Sequence, residues 1–509
     1  MNGRKAWWAA MVAALASGLS ASASAQQLRV AIVETPAVPW KGAAFGSPAW
    51  YNAALWETLT RPGDGGVTPI LATRWRNLDK DTWQFTIRPN VSFTNGKPID
   101  AAAVAANINA FLDDGGRTTP LGGGAPPLRR VLGPARAVDA ATVEVKTRVP
   151  SPTFDNEIGL LPIIEVSAYQ EMGEQRWAAA PVSSGPYKIK EIRTGETEFV
   201  PHTGSWHPGK VPSLLIREIP ERAARIQAVQ SGQMHVALGL NIDAFTNIES
   251  AGHAIYTAPA PNVAAIALMT ERAGSPFKDI RLRHAANLAI DKDNIVKNLL
   301  RGRAVPASQP ALPGMLGYNP DVKPYAYDPD RAKRLLSEAG HPNGFKTTIE
   351  AVTGSATADT EIYQQVVLDL KRVGIDAEVI PLRLADWVAK FSGGGPTATD
   401  VTFKDWAFGW GYTLNNGDPM QGYTTHWCDR KPTWYCNESL RPRVEAARNE
   451  FETDKRGKMI QELMKLSAED APVIFLVNQI EVVALHRDVQ NFQMLYRYIN
   501  YGEVNLKTR

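Results

Sequence analysis

A helix-like stretch that runs straight into a strand-like one restricts this chain more than any other feature. Ile362, Val366, Leu370 and Val373 recur at helical spacing, Gly374 stops the pattern, and the run Ala377 to Leu382 reads as a strand. That succession builds α/β layers rather than a helical bundle or a β-sandwich. It has company on both sides. Ala332, Leu335, Leu336 and Ala339 follow Asp328-Pro329 and stop at Gly340, and Ile295, Val296, Leu299 and Leu300 follow Asp291. Val444, Ala447 and Phe451, then Ile460, Leu463 and Leu466, precede the strand Val473 to Val477.

The first half alternates in the same way. Leu28 to Val33 reads as a buried strand, 36–48 as a loop and Ala49 to Leu59 as a helix. Trp83, Phe85 and Ile87 alternate with polar neighbours, and Asn95-Gly96 turns the chain toward a helix capped by Asp100, with Val104, Ile108, Phe111 and Leu112 on one face. Residues 115–134 are rich in Gly and Pro and read as a long surface loop. Its three glycines, Gly122 to Gly124, lead into Pro126-Pro127 rather than a helix N-terminus, so they make no phosphate cradle. Ala137 to Thr147 and Tyr187 to Val200 look like strand pairs, with a tight connection at Ser183-Ser184-Gly185-Pro186. After Pro220 a helix carrying Ala224, Ile226, Ala228 and Val229 passes through Gly232 into the strand Val236 to Leu238. No repeat of fixed period is present.

Residues 1–25 have the form of an export signal: Arg4 and Lys5, an apolar stretch Ala6 to Leu19, and the small residues Ala23-Ser24-Ala25 before Gln26. The apolar stretch is short for a membrane span, and no cysteine stands at the cleavage point for a lipid, so the expected location is the periplasm, free of the membrane. The remainder, about 480 residues, is too long for one core and calls for two or three domains. The chain holds 55 Lys and Arg against 52 Asp and Glu, and loses two of the cations with the signal, so nothing electrostatic points to nucleic acid or an anionic membrane. The two cysteines, Cys428 and Cys436, are expected to form a local disulfide in an oxidising compartment. The rival, a two-thiolate metal site, has only His426 nearby to complete it.

A search for chemistry finds none of the local catalytic signatures: no Gly-x-Ser-x-Gly elbow, no Walker loop, no His-Glu-x-x-His. His202, His207, His253, His284, His341 and His486 stand singly in polar surroundings. The expectation is a binding protein and not an enzyme, with neither cofactor nor metal. Aromatic residues say more. Trp406, Trp410, Tyr412, Tyr423, Trp427, Trp434 and Tyr435 crowd into thirty residues that also hold Gly409, Gly411, Gly417 and Gly422, a composition that suits a concave small-molecule site as well as an ordinary core. Phe45, Ser47, Trp50 and Tyr51 lie on the loop after the first strand, where α/β sheets place ligands.

Four stretches together resemble the family 5 extracellular solute-binding proteins, the peptide and nickel-chelate binders of ATP-dependent importers. They are Leu71 to Trp75 continued through Trp83 to Gly96; Pro181 to Tyr187, with Ser183 and Ser184 where the family has glycine and threonine; Asp279 to Gly302 with Tyr327 to Gly340; and Gly409-Trp410 to Gly417-Asp418-Pro419. The resemblance implies a two-lobed periplasmic binding protein of type II, cluster C, with an additional small domain. On that pattern residues 26–46, 182–265 and 478–509 form one lobe, 266–477 the other, and 47–181 a small middle domain. It implies a small-molecule or peptide ligand, an inner-membrane permease of an ABC transporter as partner, and a monomer. The family's ligand strand and loop place Trp410 as a stacking wall and Asn415 as a polar anchor, with Tyr412, Trp406, Asp418 and Asn262 beside them and Trp50 and Tyr51 opposite. Peptide binders carry a carboxylate where Asn415 stands, and dipeptide binders an arginine where this chain has Gly354-Ser355-Ala356-Thr357. The departures imply a ligand other than a simple dipeptide.

Overall fold

The computed structural model describes residues 26–36, 46–63, 66–113, 126–383, 386, 407–413, 418–420, 423, 427–428, 433–496 and 498–507; for 46–47, 126–127, 261 and 407–413 the description is of the backbone. Among the described residues no helix is long and apolar enough to cross a membrane.

Among the described residues ten strands make one mixed sheet, in the order Ile375–Leu382, Phe345–Val352, Ala407–Thr413, Ala254–Leu268, Val473–Leu485, Val236–Leu240, Gln27–Ile32, Ser213–Glu218, Glu196–Pro201 and Tyr187–Arg193. The two long central strands hold its halves together. Ala254 to Pro259 pair with Leu485 to Ile480, and Val263 to Ala267 with Asn478 to Val473. Four steps from 259 to 263 on one strand are matched by two from 480 to 478 on the other, so residues 260–262 bulge from the ladder. Pro259 and Pro261 have no N–H to give it. On one side of the bulge Val236–Leu240 joins the sheet against Leu485 to Val482; on the other, Ala407–Thr413 joins against Leu268 to Asn262. The chain passes between the halves at these two neighbouring points.

Helices cover the sheet as the periodicity predicts. Ile226, Val229, Phe245, Leu282, Leu336, Ile362, Val366 and Leu370 from five helices share a core with Ile349, Ile375, Ile474 and Leu476 from the strands, each such side chain contributing roughly 2 kcal/mol by leaving water. The caps are as expected: the carboxylates of Asp100, Asp291 and Asp328 each accept the amide N–H three residues on, from Ala103, Asn294 and Arg331, at 2.8 Å. The α/β class read from the sequence is the class observed.

A second, antiparallel sheet runs Ala72–Asp79, Thr82–Ile87, Thr142–Thr147, Leu132–Ala137, with the helix Ala101–Asp113 laying Val104, Ile108 and Phe111 into the core that holds Phe85, Val143 and Val145. It corrects the loop expected over 115–134. Residues 114–125 lie outside the described residues, but Pro126–Val131 is a short helix and Leu132–Ala137 an edge strand. Gly133 and Pro134 fit because the strand shifts register there, and because a side chain at 133 would press to 2.8 Å from the Lys146 carbonyl oxygen. Two further boundaries move. The first helix is Gly46–Asn52, with Trp56 and Leu59 buried beyond its end, and the late strand continues from Val477 to Leu485 through Asn478, Gln479 and Glu481.

Candidate ligand-binding crevice

Strand direction locates the site. Gln27–Ile32 runs parallel to Ser213–Glu218 and to Val236–Leu240, and the register against Val473–Leu485 puts the carboxyl end of that group, at Leu240, nearest the bulge. In the other half Phe345–Val352 runs parallel to Ile375–Leu382 and to Ala407–Thr413, and Thr413 pairs with Asn262, so this group also ends at the bulge. Two carboxyl edges therefore face a common crevice floored by 260–262 and 478–480. Loops at carboxyl edges are where α/β sheets hold ligands.

On the first edge the loop after Ile32 is tied down by Glu218, whose carboxylate accepts the amide and the hydroxyl of Thr35, both at 2.8 Å. Arg225, buried, donates to the carbonyls of Leu238, Gly239, Ile219 and Pro220, gathering the ends of two strands with one planar cation. Gly239 has φ of 65°, and a Cβ there would meet Val33 at 2.9 Å and the Trp50 ring at 3.3 Å, so glycine is needed for both conformation and space. Trp50 is buried against this turn with its Nε1 unpartnered. Its neighbour Tyr51 serves the core instead. Its hydroxyl donates to Thr197 Oγ1 at 3.0 Å, its ring meets Phe199 edge-on at 5.4 Å, and burial pushes its pKa up to about 12.

On the second edge Asp359 opens the helix Asp359–Arg372, and its carboxylate accepts the amides of Gly354, Ser355 and Ala356 at 2.8 to 2.9 Å. The loop amides ahead of this helix are thus taken by the chain's own carboxylate rather than left for an external anion. Asp418 is likewise committed: it accepts two hydrogen bonds from Arg456 Nη2, at 3.1 and 3.0 Å, and the amide of Met420. Both members of that ion pair are buried. Near it lie Asp155 and Glu157. Burial raises both, Glu157 to about 7, with Asp418 and Asp155 adding to the rise.

The bulge contributes two carboxamides. Asn262 and Asn478 each keep a buried Oδ1 without a partner at the floor of the crevice. Asn262 was expected; Asn478 was not, although an asparagine interrupting the apolar run Val473 to Ile480 was a visible signal. Of the other expected residues, Trp410 and Tyr412 stand opposite Ala265 and Val263 in the ladder, and Ser47 lies in the first helix. Phe45, Trp406 and Asn415 lie outside the described residues. The remaining aromatics of the rich stretch belong elsewhere: Trp427 packs edge-on between Tyr423 and Tyr435, 5.1 and 5.6 Å away, in a core with Val444 and Ile460. Cys428 and Cys436 form the expected disulfide, Cα atoms 4.6 Å apart, which uses both thiolates that a metal would require.

The comparisons agree with this architecture. The model of the bacterial extracellular solute-binding proteins, family 5, matches residues 66–434. The glutathione-binding protein GsiB of Pectobacterium atrosepticum is 25% identical over 81% of this chain and 80% of its own length, and heme-binding protein A of Haemophilus influenzae is 26% identical over 72% and 71%. Among solved structures, HbpA2 from Haemophilus parasuis superposes with a TM-score of 0.80 at 21% identity, covering 95% of this chain and all of that one. DppA from Helicobacter pylori, in complex with the peptide STSA, gives 0.71 at 21% identity, covering 95% and 98%. These structures share the two-lobed fold, and with the family model matching well over half of its length this chain belongs to the family 5 extracellular solute-binding proteins.

Proposed function

We propose that this solute-binding protein works in the periplasm, closing two lobes over a small polar or peptide-like guest and passing it unaltered to the permease of an ABC importer. The observation that carries the reading is the opposition of two carboxyl edges across a crossing that is two strands wide among the described residues. Rotation about such a crossing changes the crevice and shifts Ile226, Val229 and Phe245 against Leu282, Leu336 and Ile362 within the core they share, and contacts made to both edges favour the closed form. In this reading residues 26–46, 182–265 and 478–509 form one lobe and 266–477 the other, with 47–181 as the small middle domain.

The polar groups bear on the ligand. The amides of 354–356 already hold Asp359, and Asp418 already holds Arg456, so neither serves as a clamp for a peptide's carboxylate or amino end. That favours a guest held by stacking and neutral hydrogen bonds, with Trp410 as the wall and Asn415 as the anchor. Mass spectrometry of the purified protein identifies the solute that accompanies it, and calorimetry then compares wild type with Trp410→Ala and Asn415→Ala. About tenfold weaker binding is expected for each. Unchanged affinity in both variants, or a solute recovered chemically altered, overturns the proposal.

A further inference from the structure

Among the described residues a hydrogen bond that owes nothing to a ligand joins the two edges of the crevice. Asn241 follows the strand Val236–Leu240 on the first edge, and its side-chain oxygen accepts the amide N–H of Ala358 at 2.8 Å. Ala358 closes the loop after Phe345–Val352 on the second edge. The same oxygen accepts the amide of Ile242 at 2.8 Å, which holds the carboxamide in place. Ala358 is fully buried and left-handed, with φ 55° and ψ 21°, a conformation that costs a residue with a Cβ roughly 1 kcal/mol. Its neighbours are already committed, since Asp359 takes the amides of Gly354, Ser355, Ala356 and Thr360. The Ala358 amide is the one donor of 354–356, 358 and 360 that leaves its own lobe for a partner.

We propose that the Asn241 carboxamide is a latch that holds the lobes together before any solute arrives, with the left-handed turn at Ala358 as the part that relaxes on opening. The latch sets how much of the empty protein is closed, and hence how much of the binding free energy closure consumes. Near the crossing it has weaker, exposed company: Arg301 donates to Thr246 Oγ1 at 2.7 Å, and Arg303 pairs with Glu249 at 2.5 Å. Asn241 is a positioning residue; the inference rests on the two-lobed reading and adds a bias between its states.

Spin labels at Lys190 and Glu378, exposed positions on the two outermost strands of the sheet, report the separation of the lobes in ligand-free protein. Asn241→Leu keeps the size of the side chain and loses the acceptor. It should raise the open-to-closed ratio about fivefold, the worth of one hydrogen bond, and speed exchange of the Ala358 amide by the same factor. In wild type, protection of that amide should not exceed the closed-to-open ratio given by the labels. An unchanged distance distribution in Asn241→Leu, or a wild-type amide protected far beyond that ratio, overturns the latch while leaving lobe closure standing. A single invariant separation in every sample overturns the two-lobed reading and the latch with it.

Discussion

At the scale of single residues, buried charge is where this molecule is most exposed to mutation. Arg456 and Asp418 neutralise each other out of water, so Arg456→Met takes the Arg456 cation away from a buried carboxylate and should cost about 3–5 kcal/mol in denaturant unfolding, most of which the double variant with Asp418→Asn should recover. Glu157 gives a pH signature. Its pKa is raised by burial from the ordinary carboxylate range to about 7, so the folded protein holds a proton that the unfolded chain releases above about 4.5. Stability from this group is therefore fullest at the acid end and declines as pH rises between those values. Thermal melts across pH 4 to 8 should show Glu157→Gln declining less steeply than wild type; parallel profiles would remove Glu157 as the cause. What the sequence disclosed at this scale was local. Asp100, Asp291 and Asp328 announce caps because the partner amide is three residues away, whereas Asp418 and Arg456 lie 38 residues apart and nothing in either segment names the other.

Among elements, the stapled loop between Cys428 and Cys436 ties a stretch of chain to the sheet. The carbonyl of Trp434 accepts the amides of Thr270 and Glu271, at 2.8 and 3.3 Å, so the loop caps the run that follows Ala254–Leu268. For a loop this short, chain entropy gives the cross-link about 2–3 kcal/mol, and Cys428→Ser with Cys436→Ser should lower stability by that amount in denaturant titration. A loss below about 0.5 kcal/mol would mean that the loop is held without it. Elements with clean periodicity were legible, including the helix of Ile362 to Val373 and the strand after it. The fifteen-residue strand Ala254–Leu268 was not, because Pro259 and Pro261 break its pattern, and those prolines belong to the bulge that lets the chain cross between halves. The residues that hide the strand are the ones that serve its purpose.

For the whole molecule, the prediction concerns coupling between occupancy and shape. A solute that touches both edges should reduce the radius of gyration in solution scattering and, at a hundred times its Kd, add about 2.7 kcal/mol to stability. Stabilisation with no change in scattering would place binding on one lobe alone or on lobes already held closed, and the same measurement on Asn241→Leu separates the two. The sequence announced the class of fold, but the crevice itself exists only once strands from residue 27 to residue 485 are in order, and Asn241 and Ala358, 117 residues apart, carry no mark of their meeting. The crossing has a consequence for heredity as well as for motion. Val263 and Asn478 are partners in the ladder, so the intervening segment leaves and re-enters at a single place. Such a segment can be exchanged with that of a relative by two cuts, provided the incoming piece keeps the apolar side chains, Leu282, Ile349 and Leu476 among them, that it shares with the half that stays behind.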